Sequence, residues 1–452
     1  MSGSHQMKLS QVIDNQRSPD TVIAWRGKQT LQLGDFRSLV LALINKINCL
    51  PQLKWALCFN DSYYFSAALL ATLYCGKTPV IPGHLREAVL KEQADEYDAL
   101  LTDLPLLLDC PTINITLIEP FKFEETDALP TWPKQRDLIL FTSGSTGKPK
   151  AIVKSIELLE LENQFLINRF SEQLKDSQIV STVSHQHLYG LTFRILLPLL
   201  AGRPFDADLT EYHEQLQIHS SPKIALIASP AFLKRLDIQL KPIACRLIFS
   251  AGGPLDYESA QRVKTCLGVL PQEIYGTSET GIIATRAQAT LNQIWSAFSG
   301  ITISQNPDQT IKINSPLFKE DEAGTIGDII RLESGGFHLA GRKDRIIKIE
   351  EKRISLTEIE QRLLQLPEIK DASVVTLIQD NRTIIGAVIV LSTYGCQQKQ
   401  QLSEFQITRQ FRQTLRHWLE PVALPKRWRI VNAIPVNNQG KRTYIELQEL
   451  FL

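Results

Sequence analysis

From residue 21 onward, short apolar runs alternate with stretches whose apolar residues recur at helical spacing. Residues 21–25, 56–59, 78–82 and 99–102 read as strands, and 65–73 reads as a helix closed by Gly76. The apolar run at 138–141 is long enough for one buried strand. After it, 156–170 carries helical spacing, and 180–183, 225–228 and 247–250 read as further strands. This alternation predicts a parallel sheet with helices on both faces. Residues 120–136 are polar, contain Pro120, Pro130 and Pro133, and fit a linker into the central strand. The pattern changes near Lys343. Strands are expected at 346–349, 372–375 and 383–391, and helices at 355–366, with Ser355 as cap and Glu358 three residues on, and at 403–418. The expectation is an α/β chain. A large N-terminal domain, 1–342, has mainly parallel sheets with flanking helices, and a small mobile α+β C-terminal domain follows at 343–452.

Composition narrows the function. A chain of 452 residues is too long for one compact core. A formal net charge of +1 argues against nucleic acid or an anionic membrane as the main partner. Apolar runs such as 195–201 are far short of a membrane span. The 7 cysteines are scattered and show no CxxC or Cys/His spacing, so reduced thiols are expected, with no disulfide framework and no zinc. The first residues, MSGSHQM, have no basic n-region and no apolar h-region, so a cytoplasmic enzyme is expected.

The stretch DLILFTSGSTGKPKAIVKS, from Asp137 to Ser155, organises the rest. Thr142, Ser143, Gly144, Ser145, Thr146, Gly147, Lys148, Pro149, Lys150 and Ala151 read as a mobile polar loop between two strands. Gly144 and Gly147 let the backbone approach a ligand, and successive free N–H groups make an anion-binding concavity suited to phosphate. It is not a Walker A loop. Pro149 pushes Lys148 out of helical geometry, whereas that motif opens a helix, and this disfavours a phosphotransferase. Downstream, His185, His187 and Tyr189 stand after the strand at 180–183. Ligands of open α/β sheets bind at the carboxyl ends of strands. The two glycines of Ser250-Ala251-Gly252-Gly253-Pro254-Leu255 let a flat ring lie against the backbone.

FTSGSTGKPKA closely resembles the phosphate-loop motif of the adenylate-forming (AMP-binding) superfamily. That superfamily includes acyl- and aryl-CoA synthetases, nonribosomal peptide synthetase adenylation domains and firefly luciferase. Six motifs follow the family's order from about residue 20 to the end: FTSGSTGKPKA, HLYG, SAGGPL, IYGTSET, the GDI and LAGRKD pair, and IPVNNQGK. The resemblance implies that Thr142 to Lys148 hold the triphosphate and that Gly252, Gly253 and Pro254 lie beside the adenine. It implies that Tyr275, Gly276 and Thr277 complete the adenine pocket, with Tyr275 stacking on the ring. Ser278, usually Thr in the family, meets the α-phosphate, and Glu279 holds Mg²⁺, a hard ion served by a carboxylate oxygen. Asp328 accepts from the ribose hydroxyls, Arg342 approaches the same sugar, Asp344 is the hinge, and His187 borders the substrate carboxylate.

The implied reaction is attack of a carboxylate on the α-phosphorus of ATP. Lys441, on a turn after Gly440, bridges the two anions. The acyl-adenylate then passes to a thiol, of CoA or of a carrier-protein phosphopantetheine, after the C-terminal domain turns about Asp344. Amino-acid activators place an Asp in the acid pocket to pair the ammonium. None stands here, so a small carboxylic acid without an α-amine, aryl or fatty, is expected. One departure concerns the thiol. Relatives carry Lys-x-x-Gly after the hinge, and this chain has Lys348-Ile349-Glu350-Glu351. An acyl carrier protein is therefore an alternative acceptor, met by basic residues such as Lys352, Arg353, Arg409, Arg412 and Arg416. The other class of reading is a non-catalytic nucleotide-binding protein on this fold. The presence of Lys441, Glu279 and Asp328 argues against it.

Overall fold

The computed structural model describes residues 7–452 except 120–128, 135, 144–148, 219–222, 240, 254, 306–310, 319–323, 326–327, 343–345, 381 and 436–443. The chain divides into two compact units. One comprises Met1–Leu85, Leu90–Phe141 and Ala151–Lys343; the other comprises Arg86–Val89, Thr142–Lys150 and Asp344–Leu452.

In the first unit a six-stranded sheet runs in the order Thr112–Asn114, Ala99–Thr102, Lys54–Cys58, Thr78–Ile81, Asp137–Ser143 and Pro149–Ser155. Its first four neighbouring pairs are parallel. The crossover helix Ser62–Tyr74 shows why: every residue but Tyr64 is buried, so the helix is enclosed on all sides. Its polar members are satisfied locally. Ser66 and Thr72 hydroxyls donate to the Ser62 and Ala68 carbonyls at 2.7 Å each. Asp61 caps the start by accepting from the Tyr64 N–H at 2.9 Å, worth about 1 kcal/mol.

A nine-stranded sheet is ordered Ser296–Ala297, Gly281–Arg286, Gln272–Thr277, Cys245–Ser250, Ile224–Ala228, Gln178–Ser181, Phe205–Asp206, Val22–Arg26 and Gln29–Gln32. From Val22–Arg26 through to Gln272–Thr277, neighbours are parallel. The loops that follow Gln178–Ser181, Ile224–Ala228, Cys245–Ser250 and Gln272–Thr277 therefore emerge at one end of the sheet. The helix Ile156–Leu174 buries Ile156, Leu159, Leu166, Ile167, Phe170 and Leu174, and also the polar Glu162 and Asn163.

Two expectations change. The loop expected at 142–151 is shorter, because Thr142 and Ser143 continue the strand Asp137–Ser143 and Pro149 to Ala151 open the next strand. Threonine suits a pleated surface, and a proline is tolerated as the first residue of an edge strand, where its missing N–H costs no ladder bond. The strand expected at 180–183 is Gln178–Ser181, a register set by parallel pairing of Gln178 with Ile224 and of Ser181 with Ile227.

In the second unit, Ile369–Gln379 and Arg382–Leu391 form an antiparallel pair, and Arg427–Ile430 runs parallel to the latter. Ile359 and Leu363 of the helix Leu356–Leu364, and Ile407, Phe411 and Leu415 of Glu404–Leu415, are buried in one core with Val374, Ile385 and Ile389. Ser355 caps the first helix, its Oγ accepting from the Glu358 N–H at 3.1 Å. A hairpin joins Ile346–Ile349 to Lys352–Ser355 through Glu350 and Glu351, with Glu350 at φ 58°. Lys352, expected as part of a basic face, has its Nζ 2.5 Å from Glu420 Oε2, so its charge is paired.

Candidate active site

The two histidines after Gln178–Ser181 differ in kind. His185 is 1% exposed and satisfied within the core. Its Nε2 lies 2.9 Å from the Phe59 carbonyl, its Nδ1 3.3 Å from Ser62 Oγ, and its ring 4.3 Å from Phe65. Burial, reinforced by the Arg194 cation, holds its pKa well below the usual value, so the ring is neutral. His187 is half-buried, and its ring stands edge-on to His84 with centroids 6.5 Å apart. His84 follows Thr78–Ile81, a strand of the other sheet, and sequence reasoning passed over it. Tyr189 donates to the Ala228 carbonyl at 3.1 Å and packs edge-on against Phe193, centroids 5.0 Å apart. Gly190 explains the glycine of HLYG: a Cβ there would stand 2.0 Å from the Ser184 carbonyl oxygen.

Two strands along the same sheet, Ser250 ends Cys245–Ser250. Its hydroxyl is buried and has no hydrogen-bond partner among the described residues. Gly252 and Gly253 follow, half-buried. The next strand delivers Tyr275, Gly276 and Thr277. Tyr275 is 5% exposed, its ring 5.7 Å from both Trp295 and Phe337. The turn beyond it is closed by two hydroxyls: Thr277 and Thr280 Oγ1 atoms are 3.0 Å apart, and each accepts from the other's N–H at 3.2 Å. Ser278 is half-buried and Glu279 exposed on this turn, where an oxygen ligand can reach a solvated cation. The strand is anchored behind by Glu273, which accepts from Arg286 Nε at 2.9 Å and Nη2 at 3.0 Å.

Asp328 and Arg342 are brought together. Asp328–Glu333 pairs antiparallel with Gly336–Arg342, and these two residues are direct partners across the ladder. Thr142 and Ser143 lie at the end of Asp137–Ser143. Gly144, Ser145, Thr146, Gly147, Lys148, Pro254, Asp344 and Lys441 lie outside the described residues.

Buried charges such as Arg194 and Glu162 were missed because helical periodicity counts only apolar positions. Arg194 is on the π-helical segment Leu191–Leu196, where it donates to the Ala207 carbonyl at 3.0 Å, and burial pushes its pKa down to about 10. Glu162 accepts from the Ile282 N–H at 2.7 Å, and burial pushes its pKa up.

A two-unit α/β chain with these motifs at the strand ends has the fold of adenylate-forming enzymes. The structure superposes on a double mutant of o-succinylbenzoate CoA synthetase from Bacillus subtilis, bound to a product analogue. The TM-score is 0.79 at 17% identity, covering 98% of each chain. The family model described as AMP-binding enzyme matches residues 80–330. The anthranilate–CoA ligase of Pseudomonas aeruginosa is 24% identical over 498 residues, spanning 96% of this chain and 94% of that one. The 4-coumarate–CoA ligase of Cereibacter sphaeroides is 24% identical over 312 residues, 68% of this chain and 70% of that one. The chain belongs to the AMP-binding enzyme family. No helix among the described residues is long and apolar enough to cross a membrane.

Proposed function

We propose that this chain is an AMP-forming acid–thiol ligase. It joins an aryl or fatty acid lacking an α-amine to AMP with release of pyrophosphate, then transfers the acyl group to a phosphopantetheine thiol. One observation carries the reading. Parallel pairing puts the residues after Gln178–Ser181, Cys245–Ser250 and Gln272–Thr277 at one end of one sheet, with Ile224–Ala228 between the first two. An acid bordered by His187, an adenine lying against Gly252 and Gly253, and a phosphate at Ser278 then fall in sequence along that end. The ladder pair Asp328 and Arg342 supports a shared ribose site. The names of two relatives, the anthranilate–CoA and 4-coumarate–CoA ligases, support an aromatic acid.

Each residue has a defined task. Residues 142–148 and Ser278 hold phosphate oxygens, and Glu279 supplies the hard oxygen for Mg²⁺ arriving with ATP; the ion offsets phosphate charge when bound. His187 orients the carboxylate in line with the α-phosphorus, and proximity of this kind lowers the barrier without new chemistry. Lys441 stabilises the charge that moves onto pyrophosphate. Residues 343–452 act as a lid turning about Asp344 to let the thiol enter. Glu351, at the hairpin turn where relatives have glycine, adds negative charge to that entrance. It favours a carrier-bound pantetheine over free CoA, whose own phosphates it repels. Acid-dependent exchange of labelled pyrophosphate into ATP, screened over benzoates, cinnamates and straight-chain acids, tests the first step. Exchange with members of one acid class is expected; exchange with none overturns the reading. A Lys441→Ala chain should lose exchange yet still transfer a pre-made acyl-adenylate to thiol, and equal loss of both would remove that role.

A further inference from the structure

Glu162 is a carboxylate in the wrong place for a solvated helix face. It is 4% exposed on Ile156–Leu174, and placing such a group out of water is costly unless its oxygens are engaged. Its two oxygens reach two of the motif-bearing segments. Oε1 accepts from the Ile282 N–H at 2.7 Å, at the start of the strand that leaves the turn bearing Ser278 and Glu279. Oε2 is 3.5 Å from the Thr192 hydroxyl, two residues past the HLYG glycine in the π-helical segment. A third segment joins through Lys154, on the strand Pro149–Ser155 that leaves the phosphate loop. Its Nζ donates to the Glu279 carbonyl at 3.0 Å, and its charge acts on Glu162. The backbone of the turn is thus gripped on either side of Thr280 and Gly281, once by Lys154 and once by Glu162.

We infer that Glu162 and Lys154 are positioning residues that clamp the turn Thr277–Thr280, so that Ser278 and Glu279 meet the α-phosphate and its Mg²⁺ in one fixed geometry. The clamp ties that turn to the strand leaving the phosphate loop and to the helix after the acid-pocket motif. The inference rests on the proposed roles of Ser278 and Glu279. Neither Glu162 nor Lys154 touches a reactant in this account. They act by removing the freedom of backbone groups, and a misplacement near 1 Å at such groups costs on the order of a hundredfold in rate.

The test is calorimetric titration of the full chain with MgATP and, separately, with adenosine, which lacks the phosphates that the turn serves. Wild type is expected to bind both. Lys154→Met removes one charged hydrogen bond and should raise the MgATP dissociation constant about tenfold while leaving adenosine binding unchanged. Glu162→Ala should weaken MgATP further. Glu162→Gln should restore it, since the amide oxygen still accepts from Ile282 and the amide NH₂ donates to Thr192. Because Glu162→Ala opens a buried hole, Lys154→Met carries the decision if that chain fails to fold. Unchanged MgATP binding in Lys154→Met, or equal loss of MgATP and adenosine, overturns the clamp. Wild type that binds no MgATP overturns the proposed function itself, and the clamp with it.

Discussion

Replacing Gly276 by alanine should damage the nucleotide turn while leaving the rest of the sheet in place. Gly276 pairs with Ile282 across an antiparallel ladder that shifts register between Tyr275 and Gly276. A Cβ at Gly276 would stand 2.2 Å from the Gly281 carbonyl oxygen and 3.0 Å from both Gly281 C and Ile282 Cα. Cβ atoms in proteins stay beyond 3.0 Å of such neighbours, so backbone has to withdraw. No flexible side chain takes up the strain, because every near atom is main chain. Overpacking of this kind costs about 1–3 kcal/mol. The strand that moves is the one held by Glu162 at Ile282, so the displacement reaches Ser278 and Glu279 directly. Thermal unfolding and MgATP titration of Gly276→Ala read both effects. A lower melting temperature with MgATP affinity reduced at least as far as in Lys154→Met is expected. An alanine chain with wild-type melting and wild-type affinity would refute the reasoning.

Three further outcomes follow from specific contacts. Glu273→Ala leaves the Arg286 guanidinium, held 4.5 Å over Trp295, without its bidentate carboxylate. It should cost about 3–5 kcal/mol by denaturant unfolding, and a loss no larger than that of a surface mutation would contradict the pairing. Asp328→Ala should weaken ATP by roughly 1.5–3 kcal/mol for each ribose hydrogen bond lost, and affinity unchanged within error sinks the ribose assignment. Glu350→Gly relieves a left-handed backbone at φ 58° and should raise the unfolding free energy by about 1 kcal/mol, read as a higher denaturant midpoint, whereas a lower midpoint would show that the glutamate side chain matters more than its backbone.

Much of the molecule was legible because period and punctuation agree with the structure. The strand at 225–228 is apolar throughout and the one at 247–250 is apolar up to its closing Ser250, as strands covered on both faces tend to be. Ser355 with Glu358 marks a helix start that forms as a hydrogen-bonded cap. The motif residues could be ordered along the chain, but their convergence depends on which strands are neighbours. That is decided by parallel pairing between segments far apart in sequence, such as Gln178–Ser181 with Ile224–Ala228. Polar burial was not legible at all. Glu162 and Arg194 look like solvent-facing members of their helices, and only the packed structure shows the backbone groups that satisfy them. The same holds for the helix Leu33–Asn48, which no motif singled out, and for His84, whose meeting with His187 joins two different sheets.

The central claim is that the acid's own oxygen attacks the α-phosphorus. It is tested most directly by giving the enzyme an acid whose carboxylate carries heavy oxygen, together with ATP, Mg²⁺ and a pantetheine thiol, and weighing the nucleotide product. The account predicts AMP bearing one heavy oxygen from the acid, formed with pyrophosphate and in step with the thioester. Formation of ADP, or of AMP without the label, would contradict it.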